Sequence, residues 1–204
     1  MTGRPTIAEA ARLEERLSKA AVELFLEQGF DGTTMEGVAQ AAGISKRTLY
    51  ARYADKHELF AAVVASALVR QRADDAGLEV PPDDLDAGLT AIGRSSLARA
   101  LDPEIVRLSR IAMNEATRFP KFARAAQSMS WSPRIQAVQK LLTHHIELGT
   151  VEVDDVEIAS EQFLALVAAM PARLAAFGVR RPRAVEERHL RHAVGLFLRG
   201  VLRR

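Results

Sequence analysis

Apolar residues recur at spacings of three and four along nearly the whole chain, while sustained apolar–polar alternation is missing. That pattern predicts helices and no sheet. The first helix opens on a capping box, Thr6 with Glu9, carries an apolar stripe of Leu13, Leu17, Ala21, Leu24 and Phe25, and ends at Gly29. A second box, Thr33 with Glu36, starts a short helix bearing Val38, Ala39 and Ala42, which Gly43 terminates. Ser45 caps a third helix at once, running to Tyr53. A third box, Asp55 with Glu58, begins a longer fourth helix whose apolar run extends to Val69. The interval from Gly43 to Ser45 leaves room for the turn of about three or four residues that joins the two arms of a helix-turn-helix.

Prolines punctuate the rest. Pro81 and Pro82, beside Asp83 and Asp84, mark a loop, and Asp102-Pro103 and Ser132-Pro133 read as cap-plus-first-residue pairs that each start a helix. Asp154 with Glu157 caps a helix through Phe163, Leu166, Val167, Met170 and Leu174. Pro171, inside it, predicts a kink, because it removes a backbone donor and crowds the preceding turn. A basic turn, Arg180 to Arg183 around Pro182, precedes a final helix of about 184–202. One face of that helix carries Leu190, Ala193, Val194, Phe197, Leu198, Val201 and Leu202, which is wider than a single internal contact needs. No solenoid-like repeat or low-complexity tract interrupts this order. The fold class is all-α.

With 204 residues, one small domain joined to a larger one fits. A composition 48% hydrophobic and 26% charged supports a buried core and excludes a disordered chain. The absence of cysteine removes disulfides, thiolate zinc sites and cysteine nucleophiles together and points to a cytoplasmic location. The segment Met1 to Glu15 lacks the apolar stretch of a secretion signal, and the longest apolar run, Phe60 to Val69, is shorter than the ~20 residues that span a bilayer. No membrane partner is expected. A net charge of +2 does not by itself announce nucleic acid, so local arrangement has to carry that argument.

The third helix supplies it. Ile44, Leu49 and Tyr53 can face a small core, leaving Lys46, Arg47, Thr48, Tyr50 and Arg52 outward. A short helix with such a face fits the major groove, where arginine reads guanine and threonine meets the thymine methyl. Lys56, at the start of the fourth helix, can approach a phosphate together with backbone amides. On periodicity alone, a solvated helix face is an equal alternative.

Other chemistry has thinner support. Glu186 and His189 form half of a dimetal carboxylate site without a second copy, and His192 extends it to a mononuclear cluster. A helical metalloenzyme built on these residues, and a helical protein-binding adaptor, are the alternative functions. His144 and His145 point about 100° apart and do not readily share a metal. Neither Ser45 nor Ser95 sits in the glycine-flanked elbow of hydrolases, and no phosphate-binding glycine loop is present, so no enzyme activity and no cofactor are expected. Met113, Asn114, Phe119, Phe122, Met129, Trp131, Phe163 and Met170 can line an apolar ligand cavity between helices, although ordinary core packing is the commoner role for each of them taken alone.

The stretch Thr33 to Phe60, TTMEGVAQAAGISKRTLYARYADKHELF, resembles the signature of TetR-family DNA-binding domains. It has the threonine, the aliphatic–alanine pair, then Ala-Gly-Ile-Ser, Leu-Tyr, an aromatic and a lysine. With the first helix the resemblance covers about residues 6–60; Leu108 to Phe122 and Asp154 to Leu166 resemble the AefR-like C-terminal group. It implies a three-helix DNA-binding domain over residues 1–54 and a ligand-binding, dimerising helical domain over 55–204. The implied function is that of a sequence-specific transcriptional regulator, a repressor released from its operator by a small-molecule effector. Its implied partners are pseudo-palindromic double-stranded DNA and a second copy of the chain, paired through the last two helices. Thr34, Ser45, Tyr50 and Lys56 fall where the family contacts phosphates, and Arg47 and Thr48 where it reads bases. Two positions depart from the pattern: Arg47 stands where glycine is frequent and Arg52 where histidine is.

Overall fold

The computed structural model describes residues 7–63, 80–116 and 133–203. Among them are helices and loops but no β-strand. They pack as two compact units, one holding residues 7–63 and 110–116, the other 80–109 and 133–203.

The first unit starts with α1, Ile7–Gly32, whose Leu17, Ala21 and Phe25 are fully buried as the apolar stripe requires. Helical geometry breaks at Gly29, with φ of 73°, and one further turn reaches Gly32. The left-handed conformation there suits glycine because it has no Cβ. Helix α2, Met35–Ala41, and α3, Lys46–Tyr50, follow, joined by a tight turn in which Gly43 has φ of 66° and Ile44 N donates to Ala39 O at 2.9 Å. Helix α4 begins at 56 and is described to 63. Phe25, Phe30 and Phe60 form the aromatic centre: Phe60 meets Phe25 edge-on at 4.8 Å and Phe30 at 5.5 Å. Such geometry adds to area burial because ring edges and faces carry opposite partial charge.

The caps agree with the sequence at three starts, that of Ser45 on α3 among them, and slip by one residue at two others. Asp55 accepts from Glu58 N at 2.8 Å and Asp102 from Ile105 N at 3.0 Å. The cap of α2, however, is Thr34, while Thr33 is 1% exposed and its hydroxyl donates to Gly29 O at 2.7 Å. Thr33 therefore ties α2 to the end of α1 and is not free to cap. Thr6 and Ser132 lie outside the described residues.

In the second unit α5, Leu85–Ala100, packs against α7, Pro133–Glu147, α8, Val156–Ala176, and α9, Arg183–Val201. Helix α6, Pro103–Ala116, follows α5 directly. Gly88 and Gly93 permit close approach: Cβ atoms built there would each lie 2.7 Å from a leucine methyl, Leu141 Cδ2 and Leu190 Cδ1. The cap of α8 is Asp155, accepting from Glu157 N and Ile158 N, one residue beyond the expected Asp154.

Helix α8 runs through Pro171 without interruption. Proline leaves the carbonyl four residues earlier, that of Val167, without its helical donor. His189 on α9 supplies one, its Nε2–H shared at 3.1 Å between Val167 O and Leu166 O.

Most of the broad apolar face of the last helix is spent inside the unit, Leu202 at its end remaining exposed. Leu190, Ala193, Val194, Phe197 and Val201 are buried, and Leu198 packs against the same core. The apolar surface left exposed belongs mainly to α8 and the turn after it: Ile158, Leu166, Met170, Phe177 and Val179, with Leu196 from α9. Among the described residues, α8 is the helix long and apolar enough to cross a membrane, yet its Phe163 and Val167 face is buried against the core.

Candidate nucleic-acid interface

Sequence and packing together fix the orientation of α3. Leu49 is fully buried, which turns Lys46, Arg47 and Tyr50 outward. Ser45 holds the start of the helix, its hydroxyl accepting from Thr48 N at 3.1 Å and lying 2.8 Å from Thr48 Oγ1. Thr34 does the same for α2, accepting from Gly37 N at 3.0 Å. Both hydroxyls are exposed, and that of Thr34, which accepts here, keeps its proton for an acceptor such as a phosphate oxygen.

The charged groups are held by neighbours that sequence reasoning missed. Lys46 Nζ pairs with Glu36 Oε1 at 3.4 Å. The Glu36 carboxyl is lowered below its ordinary range by a hydrogen bond from its own backbone amide, then by Lys46, with Tyr50 adding a smaller push. Arg52 Nη1 donates to Glu14 Oε2 at 3.0 Å, and the Tyr53 hydroxyl donates to the other oxygen of the same carboxylate. Tyr53 is thus half-buried with an anchored hydroxyl, and burial followed by Glu14 raises its phenol above the ordinary value. Lys56 Nζ donates to Asp31 O at 3.2 Å and sits 4.6 Å from the centre of the Phe30 ring. Arg47 is exposed and has no partner among the described residues. No local signal marks Glu14, which lies 38 residues from Arg52.

The described positions proposed for a ligand differ in burial. Phe163 is fully buried and packs on Phe197 at 5.0 Å, while Met113 is 63% exposed, Met170 52%, and Asn114 is exposed too. Phe119, Phe122, Met129 and Trp131 lie outside the described residues. Glu186 and His189 are otherwise engaged: the Arg181 guanidinium grips Glu186 with both arms, and His189 serves the α8 carbonyls. Among the described residues no cluster of three or more histidine or acidic side chains has metal-binding geometry.

Two short helices at a tight turn, the second capped, buried on one side and basic on the other, define a helix-turn-helix DNA-binding unit. Residues 17–63 match the family described as bacterial regulatory proteins, tetR family, and residues 87–200 match the AefR-like transcriptional repressor, C-terminal domain. The chain belongs to the TetR family of bacterial transcriptional regulators. It is similar to a solved TetR-family regulator from Mesorhizobium loti MAFF303099, at 27% identity and a TM-score of 0.82, covering 98% of this chain and 100% of that one. The flavonoid-responsive regulator FrrA is 31% identical with a TM-score of 0.75, over 95% and 99% of the two chains. Among curated proteins, the HTH-type transcriptional regulator SrpR of Pseudomonas putida is 24% identical over 74% of this chain and 69% of its own.

Proposed function

We propose that this regulator works in the cytoplasm as a homodimeric repressor. Residues 1–54 hold one half of a pseudo-palindromic operator and residues 55–204 sense a small molecule. The observation that carries the reading is α3: its cap and buried Leu49 leave Arg47 exposed, and without a partner among the described residues, beside Lys46 and Tyr50. A donor in that state is available to a base edge without first breaking an internal contact. Thr34, Ser45, Tyr50 and Lys56 contact phosphates, Arg47 and Thr48 read bases, and Lys46 and Arg52 add charge to the same surface. Pairing through the last two helices is supported by the exposed Ile158, Leu166 and Met170 on α8 and Leu196 on α9. Twofold pairing would set the two recognition helices about 34 Å apart, in successive major grooves. Small-molecule release is supported by the flavonoid-responsive relative.

The deciding experiment is a gel shift on DNA from beside its own gene, with excess non-specific competitor, between about 50 and 200 mM salt. A retarded complex that survives competitor and weakens steeply with salt is expected. Equal affinity for the competitor would sink the reading.

A further inference from the structure

The second unit holds a cleft of about 470 Å³ that none of the proposed ligand residues lines. Its floor is apolar, made by Leu97, Ala98 and Leu101 of α5 with Ala175 of α8. Its rim carries four arginines, Arg94, Arg180, Arg181 and Arg183, and two carboxylates, Glu186 and Glu187.

The four arginines are not equivalent. Arg181 is committed: Nε and Nη2 donate to the two oxygens of Glu186 at 2.8 and 2.6 Å, and that carboxylate is only 8% exposed. This fork fastens the turn before α9 to the helix itself. Arg94 makes a single 3.5 Å contact with Glu187 and is 56% exposed, so the pair exchanges readily for a better acceptor. Arg180 and Arg183 are exposed and have no partner among the described residues. Arg183 also opens α9, whose cap residue, Pro182, offers no side-chain acceptor, so the uncapped first turn adds to the positive field. The two ion pairs cancel, which leaves two uncommitted cations over an apolar floor.

We propose that this cleft binds a small organic anion. A carboxylate engages Arg180 and Arg183, with Arg94 available as a third donor, while an aliphatic or aromatic body covers Leu97, Ala98 and Leu101. The volume falls within the ~300–1,000 Å³ of ordinary small-molecule sites. As an effector site the cleft deepens the regulatory reading above and rests on it, because Leu101 caps α5 and α6 begins at Pro103, so an occupant bears on the joint between them.

The test is calorimetric titration of the full-length protein with 1-naphthoate, trans-cinnamate and octanoate, and with the amide of whichever binds best. Saturable binding of at least one carboxylate is expected, with the neutral amide about ten-fold weaker or worse, since charge-assisted hydrogen bonds are lost. The double variant Arg180→Gln/Arg183→Gln should lose a similar factor, and its thermal melt should match the parent because neither side chain holds a partner among the described residues. Ala98→Trp, which fills the floor, should abolish binding, whereas Arg47→Gln in the DNA interface should leave it intact. Absence of binding by all three acids, an equally bound amide, or undiminished binding by the double variant would overturn the site. A gel shift with the bound acid separates the two claims: unchanged operator affinity refutes the effector role, and failure to bind DNA without any acid refutes the regulator reading instead.

Discussion

At the scale of single residues, the surface proposed to face DNA combines Arg47, which has no partner among the described residues, with several cations held by neighbours. If Arg47, which has no partner to release among the described residues, reads a base as proposed, Arg47→Ala should cost about 1–3 kcal/mol on the operator and relax preference at one base pair, whereas Tyr50→Ala should weaken every sequence alike. Competition titrations over single-base operator variants distinguish them. Glu36 pairs with Lys46 and adds negative charge to the surface proposed to face DNA. Glu36→Gln should therefore tighten binding to any duplex about two- to five-fold at low salt, a gain that fades as salt screens it. Fluorescence anisotropy on operator and random DNA would show it, and a gain confined to the operator would mean that Glu36 shapes reading instead. Tyr53 links stability to alkaline pH, because burial and Glu14 raise its phenol in the folded state. The unfolded chain loses this proton near pH ~10 while the folded chain keeps it, so the contribution is complete below that value and is lost as pH rises above it. Tyr53→Phe should cost about 1 kcal/mol near neutrality, a deficit that shrinks toward zero above pH ~10. Urea melts of both proteins across that range provide the measurement.

At the scale of elements, α8 and α9 are joined by a repair. Pro171 orphans the Val167 carbonyl and His189 satisfies it, so the two residues should be energetically coupled though they lie on different helices. His189→Ala is expected to cost about 1–2 kcal/mol in the parent, because the carbonyl that proline has left without its helical donor loses the one His189 gives. In a Pro171→Ala background the new backbone N–H replaces that donor and the cost should fall. A double-mutant cycle by chemical denaturation isolates the coupling, expected at about 0.5–2 kcal/mol. Strict additivity would show that the carbonyl finds water instead. The same bond explains why His189 serves structure here, although its spacing from Glu186 resembles half a metal site.

At the scale of the whole molecule, the question is what covers the apolar stripe of α8. Ile158, Leu166 and Met170 recur about every four residues on its exposed side, where Ala165 and Ala169 are also exposed, and small residues let a second helix approach closely. Leu166→Glu should bury an unpaired charge in a twofold interface, release monomers and abolish tight operator binding while leaving each chain folded. Light scattering with DNA titration reads both effects, and a variant that remains dimeric would move the interface elsewhere. A charge at Leu198 would be a poorer probe, because that side chain packs on the core of its own chain and its substitution strikes folding first.

What the sequence determined by itself is the local grammar: the all-helical class, the turn between α2 and α3, the cap at Ser45 and the outward basic face opposite Leu49. Caps and periodicity involve residues at most about four apart, so they are written into neighbouring positions. Even here burial chose between adjacent candidates, since Thr33 went to the core and Thr34 to the cap. Only tertiary structure decided which apolar face of α9 was consumed internally, that Arg52 and Tyr53 share Glu14, and that Lys56 rests on Phe30. It alone assembled the arginine-rimmed cleft, whose residues come from α5, the end of α8 and the start of α9, with Arg94 and Glu187 separated by 93 positions. Partners so distant are chosen by how helices pack, and packing depends on the whole core rather than on any local run of residues.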